Sequence, residues 1–288
     1  MKVEENTSLA PYTTFKIGGI ARYLITVSSV QDVHDAFIFC KQQGISHFIL
    51  GKGSNTLFDD QGFNGAVILN KLHWMKEDEG MFSVGSGYSF SLLGSQTARR
   101  GWTGLEFASG IPGSVGGAVF MNAGANGQET LQTVKEVTFL SEEGESYTFS
   151  QDEIPWRYRW TKFHEMQGMI VSVTFQLTPS LEARQKQISL VKYRTETQPY
   201  DDASAGCVFR NPEFQSAGKL IEECHLKNTS YGGARVSPLH GNFIVNEQNA
   251  TAHDVMTLAK YVQDEVHIKT GVHLEMELRH IPYQGNSS

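Results

Sequence analysis

Ala108-Ser109-Gly110-Ile111-Pro112-Gly113-Ser114-Val115-Gly116-Gly117-Ala118 is the stretch that decides how the chain is understood. It places four glycines in eight positions, from Gly110 to Gly117, and Asn122, Gly124 and Gly127 follow. Glycine at this density loses more chain entropy on folding than other residues would, and in return it lets backbone approach a ligand closely. The bland alternative is tight packing of small residues between elements. A second glycine turn, Gly51-Lys52-Gly53-Ser54-Asn55, follows the apolar segment His47–Leu50. It lacks the third glycine of the dinucleotide fingerprint and the Gly-Lys-Ser/Thr ending of a P-loop. What remains is a turn with consecutive N–H groups, which suits an anion. A plain structural turn reads equally well there.

The segments around these glycines mix helix and strand. Val30, Val33, Phe37 and Cys40 recur at helical spacing and Gly44 closes the run; strands are expected over 47–50 and 65–69. A strand over 81–86 and a helix over 89–100, stopped by Gly101, precede the glycine run. Val137–Leu140 and Tyr147–Phe149 flank Glu143-Gly144-Glu145 and read as a hairpin. Val171, Val173, Phe175 and Leu177 alternate as a half-buried strand ended by Pro179. The polar stretch 179–203 marks a boundary near its start. Thr251 and Asp254 form a carboxylate variant of the capping box before Val255, Leu258, Val262 and Val266, and Gly271 follows that helix. From Val272 to Arg279 apolar and polar residues alternate strictly, which predicts a last strand with Glu275 and Glu277 on its polar face.

With 288 residues, about two domains are expected. The net charge of -7 argues against general nucleic-acid binding, which needs clustered Lys and Arg. Three scattered cysteines, Cys40, Cys207 and Cys224, give neither a disulfide framework nor a Cys-x-x-Cys metal site, and they suit a reducing cytoplasm. Neither a signal core nor an apolar run approaching the ~18 residues of a membrane helix is present. A soluble cytoplasmic protein, without metal and monomeric, is the expectation. The histidines show no metal-ligand spacing.

Beyond the glycines, Thr13-Thr14-Phe15-Lys16-Ile17-Gly18-Gly19, Gly104-Leu105-Glu106-Phe107, Tyr158-Arg159, Ser204-Ala205-Gly206-Cys207-Val208-Phe209-Arg210-Asn211-Pro212, Ala217-Gly218-Lys219-Leu220-Ile221-Glu222, Gly232-Gly233-Ala234 and Leu274-Glu275-Met276-Glu277 occur in order. Together they resemble the UDP-N-acetylenolpyruvoylglucosamine reductases, of the shorter type, over nearly the whole chain. The resemblance implies an α+β fold: a two-subdomain FAD-binding unit of the vanillyl-alcohol-oxidase-like, non-Rossmann type, plus a C-terminal α+β substrate-binding domain. The expected division is 1–62 with 275–288, then 63–179, then 180–274. It implies that NADPH reduces FAD and that an enolpyruvyl UDP-sugar is then reduced to UDP-N-acetylmuramate for peptidoglycan synthesis. The implied cofactor contacts are Gly51, Lys52, Gly53, Ser54, Asn55, Ser109, Gly110, Ile111, Pro112, Gly113, Ser114, Gly116, Gly117, Asn122 and Gly124.

That chemistry needs a cation near the substrate carboxylate and a proton donor. The resemblance assigns the cation to Arg159 and a proton-sharing carboxylate to Glu277, with Glu275 as its competitor. Taken alone, Arg159 reads as a surface or ion-pair arginine and Glu277 as a solvated carboxylate. Thr161 stands where the family usually has Ser. Cys207 stands where the family typically has a proton-donating Ser; a thiol, with a free pKa near ~8.5, is the stronger acid. A buried inert cysteine is the alternative. Tyr158, Arg194, Asn211 and Lys227 match substrate-contact positions, while His240 has no assigned role. Two other functions share these features: another flavin oxidase or dehydrogenase of the same superfamily, and a non-catalytic UDP-sugar or nucleotide-binding module. Covalent flavin tethering through His is disfavoured, because neither glycine loop contains one.

Overall fold

The structure is a computed structural model and describes residues 1–285. The last three residues of the expected 275–288 segment therefore lie outside the described residues. The chain forms two compact units: one comprises Met1–Glu4, Leu24–Gly51 and Ala66–Arg194, and the other comprises Glu5–Tyr23, Lys52–Gly65 and the chain from Thr195 onward.

In the first unit, helix α1 (Val30–Gln43) begins at a complete capping box of Ser29 and Asp32 and ends at Gly44, whose φ of 60° is left-handed. Its buried face is Val33, Ala36, Phe37 and Cys40. The strand His47–Leu50 follows and pairs in parallel with Ala66–Leu69. A five-stranded antiparallel sheet carries the rest, in the order Ser146–Ser150, Val134–Ser141, Gly168–Gln176, Met81–Gly85 and Met75–Asp78. Its alternating side chains are buried with helix α2 (Phe90–Arg99) in a core that includes Phe82, Phe90, Phe107, Phe139 and Phe175. The short helix α3 (Val115–Phe120) issues from the glycine run, capped by Ser114.

One element of this unit has no warning in the hydrophobic pattern. Residues Ala183–Thr197, expected as part of a polar boundary stretch, form the 15-residue helix α4. Only Ala183 and Gln187 of it are buried, so it has no apolar stripe to read. Its sequence is rich in good helix formers such as Arg, Lys, Gln and Glu, and local propensity makes the helix.

In the second unit, an antiparallel sheet runs in the order Ser204–Cys207, Phe243–Asn246, Ala234–Val236, Ser230–Tyr231. Two helices belong with it, α5 (Ala217–Glu223) and the 19-residue α6 (Ala252–Thr270). Val255, Leu258, Val262 and Val266 of α6 are fully buried, each contributing about 1.5–3 kcal/mol. The Thr251–Asp254 capping box is present, and Asp60 adds a second cap by accepting the N–H groups of Ala252 at 2.7 Å and His253 at 3.0 Å. Near the C-terminus Arg279–Ile281 pairs in parallel with Thr56–Phe58.

The strand expected from Val272 to Arg279 is corrected by the structure. The faces do alternate, with Leu274 and Leu278 buried and His273 and Glu275 exposed. From Val272 to Leu278, however, the segment is extended chain with one isolated antiparallel bridge, Met276 opposite Phe209, and a strand begins only at Arg279. Arg210 N–H donates to Glu275 O, Glu277 N–H donates to Val208 O, and Gln263 Nε2 donates to Leu274 O, each at 2.8 Å. Alternation reports which face is buried; it does not report whether a neighbouring strand completes a ladder.

Candidate active site

The glycine run is shaped by close approach. Gly116 packs on Ser86, where an added Cβ would sit 2.9 Å from the Ser86 Cβ, and its N–H donates to Ser86 O at 2.8 Å. Val115 N–H donates to Tyr88 O and Gly117 N–H to Ser114 Oγ, so the first donors of α3 are used by the protein. The N–H groups of Gly113 and Ser114 have no protein acceptor among the described residues. The Ser109 hydroxyl is buried and likewise without a partner there. An orphaned buried hydroxyl beside a glycine turn with open donors is what a polar ligand would satisfy.

The Gly51 turn comes against the same run. A Cβ on Gly51 would overlap Ser114 Oγ and lie 3.2 Å from Ser114 Cβ, so any larger residue displaces the serine. In the second unit, Gly53 has a φ of 63° and a Cβ there would meet Tyr12 O at 2.5 Å. Thr14 N–H and Oγ1 both donate to Gly53 O, at 3.2 and 3.3 Å, which ties the carbonyl back. The N–H groups of Gly53, Ser54 and Asn55 reach no protein acceptor among the described residues, as an anion nest requires. The Asn55 side chain is anchored within the protein, where Nδ2 donates to Glu277 O at 3.2 Å.

Tyr158 and Arg159 form the two-residue turn of a small hairpin, Trp156–Arg157 paired with Trp160–Thr161. Arg159 has a φ of 56°, a left-handed conformation that costs a non-glycine residue about 1–2 kcal/mol. Strain of this kind persists where the surroundings fix it, and it clusters at functional sites. The guanidinium lies 4.6 Å from the Tyr158 ring centroid, and Nη2 donates to Gly124 O at 3.4 Å. Asn122 and Gly124, read from sequence as cofactor contacts, have structural partners here. Asn122 is fully buried with its amide bonded within the protein, and Gly124 pairs with Glu129 in a hairpin turned by Asn126-Gly127. Both turn residues have positive φ, 53° and 78°, as a tight hairpin turn asks.

Cys207 ends the strand Ser204–Cys207, half-buried, at an irregularity in its pairing with Phe243–Asn246, and Gly206 before it has a φ of 75°. Glu275 and Glu277 are told apart: the Glu275 side chain is 76% exposed and pairs with Arg210 at 3.6 Å, while Glu277 is half-buried. Asn211 Oδ1 accepts Ala217 N–H at 3.0 Å, fixing the start of α5. Lys227 pairs with Glu222 at 3.1 Å. His240 Nδ1 accepts the Asn242 N–H at 3.2 Å, and the ring packs against Phe243. Arg194 lies in the last turn of α4. Arg159 and Arg194 belong to the first unit; Cys207, Asn211, Lys227 and Glu277 belong to the second.

Glu106 carries no sequence signal beyond its place in the Gly104–Phe107 motif. It is 1% exposed, yet its pKa is held below the usual carboxylate value. Burial pushes it up; bonds from Thr103 Oγ1 at 2.5 Å and Gly104 N–H at 2.7 Å, with Lys186 at 3.5 Å, outweigh that. Ser86, a serine at a strand end, likewise carries no signal. A cavity of ≈ 590 Å³ in the second unit is lined by Lys16, Asp60, Arg235 and Glu247 among others, and by none of the residues assigned above. Three of its charged groups hold the fold: Arg235 pairs with Glu247 at 2.8 Å and Asp60 caps α6. Among the described residues no group of three or more His, Cys, Asp or Glu could hold a metal ion, and no helix is long and apolar enough to cross a membrane.

Comparison with known proteins places this geometry. The profile of the FAD binding domain matches residues 21–150, and that of the UDP-N-acetylenolpyruvoylglucosamine reductase C-terminal domain matches residues 198–281. The UDP-N-acetylenolpyruvoylglucosamine reductase of Protochlamydia amoebophila (strain UWE25) is 54% identical over 98% of this chain and 95% of its own length. That of Chlamydia pneumoniae is 42% identical over 98% and 93%. The crystal structure of UDP-N-acetylenolpyruvylglucosamine reductase from Thermus caldophilus superposes with a TM-score of 0.85 at 35% identity, covering 98% of this chain and 100% of that one. The 6-hydroxy-D-nicotine oxidase of Arthrobacter nicotinovorans, 12% identical with a TM-score of 0.62 over 94% of this chain and 86% of that one, shares the fold. By sequence over nearly its full length and by fold, the chain belongs to the UDP-N-acetylenolpyruvoylglucosamine reductase family.

Proposed function

We propose that the chain reduces UDP-N-acetylenolpyruvoylglucosamine to UDP-N-acetylmuramate, a peptidoglycan precursor, with FAD as cofactor and NADPH as reductant. Family membership supports the reaction. The observation that supports the cofactor reading is the set of Gly53, Ser54, Asn55, Gly113 and Ser114 N–H groups in the two glycine turns which, with the orphaned Ser109 hydroxyl, reach no protein acceptor among the described residues. Gly51 to Asn55 and Ser109 to Gly117 would hold FAD, with Asn122 and Gly124 framing the site. When bound there, FAD would supply the hydride chemistry, replenished by NADPH, that reduces the substrate's double bond. The three-part division into 1–62 with 275–288, 63–179 and 180–274 is our functional reading of the chain, which we place in the cytoplasm as a monomer.

The protein's own residues then handle charge and proton. Hydride addition loads negative charge onto the carbon beside the carboxylate and onto the carboxylate itself. Arg159 pairs with that carboxylate through two N–H groups and stabilises the charge as it grows. The Cys207 thiol donates its proton to the carbon, and the thiolate left behind regains one from solvent. Glu277 shares a proton with the carboxylate. Tyr158, Arg194, Asn211 and Lys227 bind the UDP-sugar; Lys227 would exchange its Glu222 partner for a diphosphate oxygen.

The test is an anaerobic single turnover of NADPH-reduced enzyme with the enolpyruvyl substrate. Cys207→Ser is expected to keep substantial reoxidation, whereas Cys207→Ala loses it. A Cys207→Ala enzyme that reoxidises at the normal rate would overturn the thiol's role.

A further inference from the structure

The Tyr158–Arg159 turn is braced from the exit of α3 by contacts that form a closed circuit. Asn122, fully buried and itself at a φ of 42°, donates through Nδ2 to Arg157 O at 3.3 Å and to Glu129 Oε2 at 3.0 Å. Its Oδ1 accepts Leu131 N–H at 3.1 Å. Glu129 pairs with Gly124, and Gly124 O accepts the Arg159 guanidinium. The circuit therefore runs Asn122, Glu129, Gly124, Arg159 and back through Arg157. The other arm of the hairpin is fixed too, because Thr161 Oγ1 donates to Phe120 O at 2.9 Å. A stack closes the outer side: the Arg157 guanidinium lies 4.0 Å from the Trp160 centroid, Trp160 6.2 Å from His164, and His164 3.9 Å from Phe120.

We infer that Asn122, together with Glu129, is a positioning residue that sets the Arg159 guanidinium for the substrate carboxylate, a role that rests on Arg159's part in the reaction proposed above. The chemistry of the position requires an amide. It must donate to two oxygens and accept from one N–H at a left-handed backbone, and among ordinary residues asparagine alone does all three with ease. Aspartate would set a carboxylate against Glu129 and a carbonyl. Glycine would keep the backbone and remove every side-chain bond. Because Arg159 sits in a strained turn, loosening its base lets the guanidinium drift, and a misplacement of about 1 Å costs on the order of 100-fold in rate.

The test is a double-mutant cycle on the flavin-loaded enzyme, read by single-turnover reoxidation with the enolpyruvyl substrate and by calorimetric binding of UDP-N-acetylmuramate. Asn122→Gly is expected to slow reoxidation, counted per bound flavin, by roughly 10- to 100-fold and to weaken product binding. In an Arg159→Lys background, where the fork is already lost, Asn122→Gly is expected to add little further loss. The same fold-loss in both backgrounds would overturn the positioning role while leaving Arg159's own role intact. An Arg159→Lys enzyme with normal turnover and product binding would instead overturn Arg159's role, and the positioning with it. If Asn122→Gly does not fold, Glu129→Ala, at a half-buried position, is expected to give a smaller loss with the same dependence on Arg159.

Discussion

Gly51→Ala should unseat the junction of the two glycine turns. The added Cβ overlaps Ser114 Oγ and lies 3.2 Å from Ser114 Cβ, so the serine has to rotate or move. Ser114 Oγ accepts Gly117 N–H at 3.3 Å as the cap of α3, and rotation forfeits that bond. Loss of a serine cap costs about 1 kcal/mol. Overpacking of a tight site adds about 1–3 kcal/mol, for a total of roughly 2–4 kcal/mol. At about 2–4 °C per kcal/mol for a chain of this size, the melting temperature falls by roughly 5–15 °C. Thermal unfolding by circular dichroism reads this directly, and flavin absorbance per protein reports the cradle. In the Ser114→Ala background the oxygen and its cap are already gone, so the further loss from Gly51→Ala should shrink to less than half. An unchanged melting temperature and flavin content in Gly51→Ala, or fully additive losses in the double variant, would refute the packing argument.

Two further outcomes follow from the ionisable groups. Cys207, half-buried, should alkylate well before Cys40 and Cys224 on brief iodoacetamide treatment, read by peptide mass spectrometry. Both others are buried, and burial with Glu142 nearby pushes the Cys40 thiol up to about 11. Glu106→Gln should flatten the acid limb of the stability curve. The native carboxylate sits below its unfolded value, so its contribution is complete above about pH 5 and is lost as pH falls through the lowered native pKa. Denaturant unfolding from pH 7 to pH 3 should show wild type losing more stability than the variant over that range; parallel curves would exclude the role.

Much of the fold is legible because local chemistry and burial agree. Ser29 and Asp32 cap α1 and Thr251 and Asp254 cap α6, and each helix then buries the apolar face its spacing announces. Helix α4 escapes notice because only Ala183 and Gln187 are fully buried and Leu190 packs only partly on the core, which leaves no apolar stripe. The alternation at 272–278 reports a buried face correctly and a strand wrongly, since backbone pairing depends on what lies alongside. At the site, glycine density marks the cradle, but it does not separate ligand contact from framework. Asn122 lies within the glycine-rich region and is read with it, yet all its side-chain bonds go to the protein. The left-handed φ of Arg159 has no sequence signal, because nothing about arginine announces a position glycine would prefer. The burial of Glu106 is tertiary and likewise invisible, although two of its partners, Thr103 and Gly104, are sequence neighbours.

Above all, this chain is expected to carry a flavin that takes electrons from NADPH and gives them to an enolpyruvyl UDP-sugar. Anaerobic visible absorbance of the purified protein tests it in one cuvette. The expected result is a flavin band that bleaches on adding NADPH and returns on adding UDP-N-acetylenolpyruvoylglucosamine. A colourless protein, or a band that bleaches and does not return with that substrate, would contradict it.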